Sequence, residues 1–159
     1  MQENKVTPGT GIRIRQTGTF DLNKLYKDLK AWFDSRKYFF QEKEHAHKSL
    51  EKGDSILIRW EAEREIDEYA KFIIKIKFYI ENIKKQDGLD KGKIEIITSA
   101  SVGLDYKNHW QSKPLGNFLF PIYNKYIIKN KIKDYYEKNL YSEVLELNSL
   151  TKSILNLYV

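Results

Sequence analysis

The chain has 159 residues, 28 basic and 22 acidic, and no cysteine. That length fits one domain, and a hydrophobic fraction of 41% with 14% aromatics excludes wholesale disorder. The missing cysteines exclude a disulfide scaffold, thiol catalysis and thiolate metal sites, while the net charge of +6 invites an anionic partner without requiring one.

Residues 1–10 are polar, carry Pro8 and Gly9, hold no apolar signal-peptide core, and are expected to fray. Ile12 and Ile14 alternate with Arg13 and Arg15 as a short strand, and Gly18 turns the chain. Asp21 then reads as a helix N-cap, with Phe20 and Leu25 spaced as a hydrophobic staple. Leu22, Leu25, Tyr26, Leu29, Trp32 and Phe33 fall on one stripe, which predicts a helix over 22–36.

Four strand signals follow. Residues 39–48 are the weakest, and Lys52-Gly53-Asp54 marks a turn. Residues 55–64, 69–81 and 93–106 alternate apolar with polar, as expected of an antiparallel sheet with one covered face. Matching apolar to apolar around Ile66 pairs Ala62 with Ala70 and Trp60 with Phe72, and sets Glu61 opposite Lys71. In the next hairpin it pairs Ile80 with Ile94, Phe78 with Ile96 and Ile74 with Ala100.

From Pro114 the pattern is helical, but its apolar residues do not share one stripe. Ile128, Ile132 and Tyr135 point almost opposite to the preceding half, so the helix either breaks near Asn130 or touches two surfaces. A last helix over about 142–158 carries Val144, Leu147, Leu150, Ile154 and Leu157, and residues 141–159 are a possible contact element. No stretch reaches the roughly 20 apolar residues of a membrane span, so the default compartment is the cytoplasm.

Few constellations could carry chemistry. His45 and His47 lie two apart on one strand face, and Glu61, Glu63 and Glu65 could complete a metal set, although a charge ladder with Lys71 and Lys75 competes with that reading. Gly9-Thr10-Gly11 precedes a strand and lacks a following Gly-Lys-Ser/Thr, so it is no phosphate loop. His109 sits in an aromatic loop without a triad around it. Ser99, Ser101 and Gly103 leave room on one strand face for something bulky, a helix of this chain first of all. No cofactor is implied.

The charge is uneven: residues 113–138 carry 6 basic and 2 acidic side chains, whereas residues 38–112 are nearly balanced. Lys125, Lys129 and Lys133, interleaved with tyrosines and joined by Arg36 and Lys37, are candidate contacts to nucleic acid or another anionic polymer. Ile128, Ile132, Tyr135, Leu150 and Ile154 are candidate contacts to a protein partner or a second copy.

The order strand, helix, antiparallel strands, long C-terminal helix is similar at fold level to the helix-grip (START-like) class of lipid and hydrophobic-ligand binders. That resemblance implies an apolar-ligand pocket, although this chain has fewer strands and lacks the usual helix pair. The runs Phe20-Asp21-Leu22, Trp60-Glu61-Ala62-Glu63-Arg64, Asp105-Tyr106 and Tyr123-Asn124-Lys125-Tyr126 also resemble small uncharacterised archaeal proteins, which implies no residue roles. The expected architecture is α+β: a four- or five-stranded antiparallel sheet covered on one face by the N-terminal helix and long C-terminal helices. The leading functional expectation is a non-enzymatic binding or assembly module acting through the aromatic C-terminal helices.

Overall fold

The computed structural model describes residues 1–156. The strands are β1 (Gln2–Lys5), β2 (Ile12–Phe20), β3 (Phe39–Leu50), β4 (Gly53–Glu65), β5 (Ala70–Gln86) and β6 (Leu89–Leu104). Helix α1 (Leu22–Ser35) follows β2, and α2 (Pro114–Ile122) and α3 (Lys138–Ile154) follow the sheet, with π-helical stretches at Tyr123–Ile127 and Lys131–Glu137 between them. The sheet is antiparallel throughout and runs β1-β6-β5-β4-β3, with β2 also paired to β6. Thus β1 and β2 share one edge, α1 carries the chain to the other, and the meander β3 to β6 returns.

Local chemistry explains α1. The Asp21 carboxylate accepts from the Lys24 N–H at 3.0 Å, and Phe20 and Leu25 are both buried. At the far end Lys37 takes φ 61° and its N–H reaches Asp34, while the Tyr38 N–H reaches Phe33. This is a Schellman ending with a lysine where glycine is the usual choice. The buried stripe Leu25, Leu29, Trp32 and Phe33 meets the inner face of the sheet in one core. At its centre Trp60, 2% exposed, packs edge-on against Tyr26, Phe40 and Phe78.

The second hairpin pairs Ile80 with Ile94, Phe78 with Ile96 and Ile74 with Ala100, as the alternation predicts. The first hairpin differs: Ala62 pairs with Ile74, Trp60 with Ile76, Glu61 with Lys75 and Glu65 with Lys71. The shift by four residues keeps every side chain on its expected face. Its cause is Asp67, whose Oδ1 accepts the N–H groups of Tyr69 and Ala70, each at 2.9 Å, and so centres the turn further along the chain.

The N-terminus is structured where fraying is expected. β1 pairs with residues 101–104 of β6, and the terminal amine donates to Asn108 at 2.9 Å. The room left by Gly103 is filled by Met1, since a Cβ there would lie 2.8 Å from its sulfur. No helix fills it; among the described residues, no helix covers the outer face of the sheet. None is long and apolar enough to cross a membrane.

Candidate functional site

The helical run from Pro114 breaks at Ile128, close to Asn130, and does not keep one phase. The Ile128 N–H bonds to Tyr123 and the Lys138 N–H to Lys133, both five residues back. Each wider π turn re-phases the side chains that follow, and Ile128 (φ −112°, ψ 12°) bends the axis. Pro121, which lacks the N–H that would bond to Asn117, precedes the first π stretch by two residues. Two stripes therefore meet two surroundings.

From the second π stretch onward the stripe is inward: Ile132, Tyr136, Leu140, Val144 and Leu147 are buried in the common core. Before it, the arrangement is inverted. Leu115, Phe118, Leu119, Ile122, Tyr126 and Ile127 form a ridge open to solvent. Four of them, Leu115, Phe118, Tyr126 and Ile127, are between 69% and 71% exposed. Full burial of such a side chain is worth about 1.5–3 kcal/mol, and this chain leaves that gain untaken.

The opposite face of α2 explains the inversion. Gly116 lies so close to the Trp110 carbonyl that a Cβ would stand 2.1 Å from its oxygen. Tyr123 stacks on Trp110 at 4.6 Å and meets Tyr69 edge-on at 6.0 Å, with Phe120 beside Tyr69. The Tyr69 hydroxyl donates to Asn124. Asp105, buried and at φ 52°, accepts from the Trp110 and Gln111 N–H groups and shapes this loop. The aromatic clasp turns the ridge outward.

Asp67 ties the clasp to the next helical stretch. Its Oδ2 accepts from the Tyr136 hydroxyl, with the Lys131 ammonium 3.6 Å away. Burial pushes the Asp67 carboxyl up, but hydrogen bonds from Tyr136, Tyr69 and Ala70, with Lys131, outweigh it and hold it below its ordinary value. Burial, reinforced by Asp67, pushes the Tyr136 hydroxyl up to about 12.

The sequence-derived candidates fall in different places. Ile132 is part of the core, while Ile128, Leu150 and Ile154 pack half-buried against it; only Tyr135 is largely free. Both stripes are apolar, and the one turned outward is the one before Ile128. Leu157 and Tyr158 lie outside the described residues. Lys125, Lys129 and Lys133 do line one groove, of about 370 Å³, with Asn4, Asn124 and Glu137. Arg36 is not with them. It bridges Glu143 at 3.7 Å and also pairs with Glu146, while its guanidinium sits 4.8 Å from the Trp32 ring centre. With Arg64, 2.7 Å from Glu143, it latches α3 to α1 and β4. Lys37 closes α1, away from that groove.

His45 and His47 share a face, but it is the helix-side face, opposite Ile58 and Ile56. Glu61 and Glu63 are on the outer face, so they cannot complete a metal set. His47 instead meets Asp54 at 2.9 Å and His45 meets Glu42 at 3.4 Å. The space between the sheet and α1 is filled by Phe33, Trp60 and Phe78, where a helix-grip ligand would need a cavity.

A second cluster of lysines is brought together by the fold alone. At the β5–β6 hairpin, Lys52, Lys84, Lys85, Lys91 and Lys93 line a groove of about 500 Å³. They come from two hairpins and converge only through strand pairing.

No family model matches the chain, and no curated protein or solved structure matches it.

Proposed function

We propose that the protein is a non-enzymatic assembly module that makes protein–protein contacts through the α2 ridge, with a second copy of the chain as its partner. The observation that carries this reading is the solvent-facing stripe of Leu115, Phe118, Leu119, Ile122, Tyr126 and Ile127. A contiguous apolar ridge is unusual on a monomer and common at interfaces. All six side chains are apolar or aromatic, with the Lys125 ammonium 5.4 Å from the Tyr126 ring centre at one end, so the ridge can pack against a copy of itself. Two copies related by a two-fold axis satisfy it without leaving a free end. The surrounding clasp supports the reading as well, because it holds the ridge outward before any partner arrives, which lowers the ordering cost of association.

A photoreactive phenylalanine analogue placed at Phe118 tests this directly. Crosslinking should trap a species of twice 18.9 kDa. The same analogue at Arg59, on the open sheet face, should trap none. Crosslinking from neither position, or equally from both, contradicts the reading.

A further inference from the structure

The lysine groove lies at the end of the sheet away from α2 and is independent of the ridge. Lys84 and Lys91 stand directly opposite each other in the β5–β6 register. Like charges so placed are destabilising. Lys93 follows two residues on, about 7 Å along the strand, and Lys52 approaches from the β3–β4 turn. Among the described residues, Lys85 is neutralised by Asp90 at 2.8 Å, whereas Lys52, Lys84, Lys91 and Lys93 form no salt bridge. No acidic side chain lines the groove; its remaining walls are Thr17, Asn82, Gln86 and the backbone of Gly18 and Gly92. Asn82, at φ 54°, sits in the bulge where the β5–β6 register shifts. That bulge lets Lys84 face Lys91.

The groove does not end there. Through Thr17 and Lys93 it continues into a trough of about 590 Å³ along the outer face of β2, β6 and β5. The trough offers the half-exposed ring of Tyr79 and the side chain of Ile97; Glu81, directly opposite Lys93 in the strand register, also lines it, and Arg13 and Arg15 are held on Glu95 at its edge. Unpaired cations leading into a flat surface with a stackable ring are the chemistry of single-strand binding.

We propose that this groove and trough bind single-stranded nucleic acid, with Lys84, Lys91 and Lys93 on phosphates and Tyr79 under a base. Fluorescence anisotropy of the full chain with a labelled oligothymidylate of about 12 nucleotides tests it. Three phosphate contacts predict that affinity falls about twentyfold between about 50 and about 200 mM salt. Lys84→Glu should weaken binding at least about tenfold while the melting temperature holds or rises, because a carboxylate then faces Lys91. Loss of binding is thereby separated from loss of fold. Tyr79→Ala should weaken binding by about tenfold. Absence of salt-dependent binding, or Lys84→Glu binding as well as the parent chain, overturns the proposal. Equal affinity for a duplex of the same length or for phosphatidylserine vesicles, insensitive to Tyr79→Ala, also overturns it and leaves a general polyanion surface.

Discussion

The body of the protein and the helical segment Leu115–Ile127 use the same residue types with opposite outcomes. In α1, a leucine and aromatic stripe is buried against the sheet. In the Leu115–Ile127 segment, a stripe of the same composition faces water, while a glycine, two aromatics and an asparagine face the protein. Apolar character alone does not decide which way a helix turns. In α1 the cap, the Schellman ending and the Arg36–Glu143–Arg64 latch agree with the stripe. In α2 the close approach at Gly116 and the stacked Trp110 and Tyr123 override it. That outward-held surface is the one proposed above to make contact.

This contrast can be broken at several points. The largest effect belongs to the body: Trp60→Ala, at the centre of the ring cluster, should cost about 3–5 kcal/mol in urea unfolding. A loss below about 1 kcal/mol would mean that the core is not organised around it. Next comes the clasp. Gly116→Ala forces a Cβ against the Trp110 carbonyl and should cost about 1–3 kcal/mol, with Trp110 fluorescence shifting as its contact with Tyr123 loosens. Unchanged fluorescence would show that α2 is not seated there.

Asp67 yields a pH prediction of defined sign. Its carboxyl is depressed in the folded chain from an ordinary value of 3.8, so its contribution is complete above that pH and is lost as pH falls through the lower, folded value. Asp67→Asn should remove this part of the acid limb of stability and loosen the Tyr136 contact by about 2 kcal/mol at neutral pH. An acid limb identical in both proteins would place the titration elsewhere. The smallest effect on stability belongs to the ridge. Phe118→Asp should change it by less than about 0.5 kcal/mol at concentrations where the parent chain is monomeric. A much larger cost would mean that the ridge is packed by the chain itself.

How far the sequence reaches follows the same division. Alternation over residues 55–64, 69–81 and 93–104 assigns the side chains to their faces, and in the second hairpin it also finds the register up to the bulge at Asn82. In the first hairpin two registers four residues apart satisfy the same alternation, and the Asp67 turn chooses between them. The Gln2–Lys5 strand is hidden because its stability comes from pairing with β6 and not from its own polar residues. The division of the C-terminal stripe is visible as a change of phase near Ile128. Its outward half is not, because Ile132 and Phe118 look alike until Gly116 and Trp110 are brought together. The lysine groove is illegible for another reason. Lys84 and Lys91 flank one hairpin, but plain alternation puts them on opposite faces and only the bulge at Asn82 makes them face each other, while Lys52 joins them from a distant turn.

Sedimentation velocity over a range of concentrations decides whether the Leu115–Ile127 ridge is an interface. The parent chain should move from 18.9 kDa toward twice that mass as concentration rises, and the double variant Phe118→Asp, Ile122→Asp should remain at 18.9 kDa with its fold intact. A parent chain that stays at 18.9 kDa at every concentration, or a double variant that associates equally well, would contradict it.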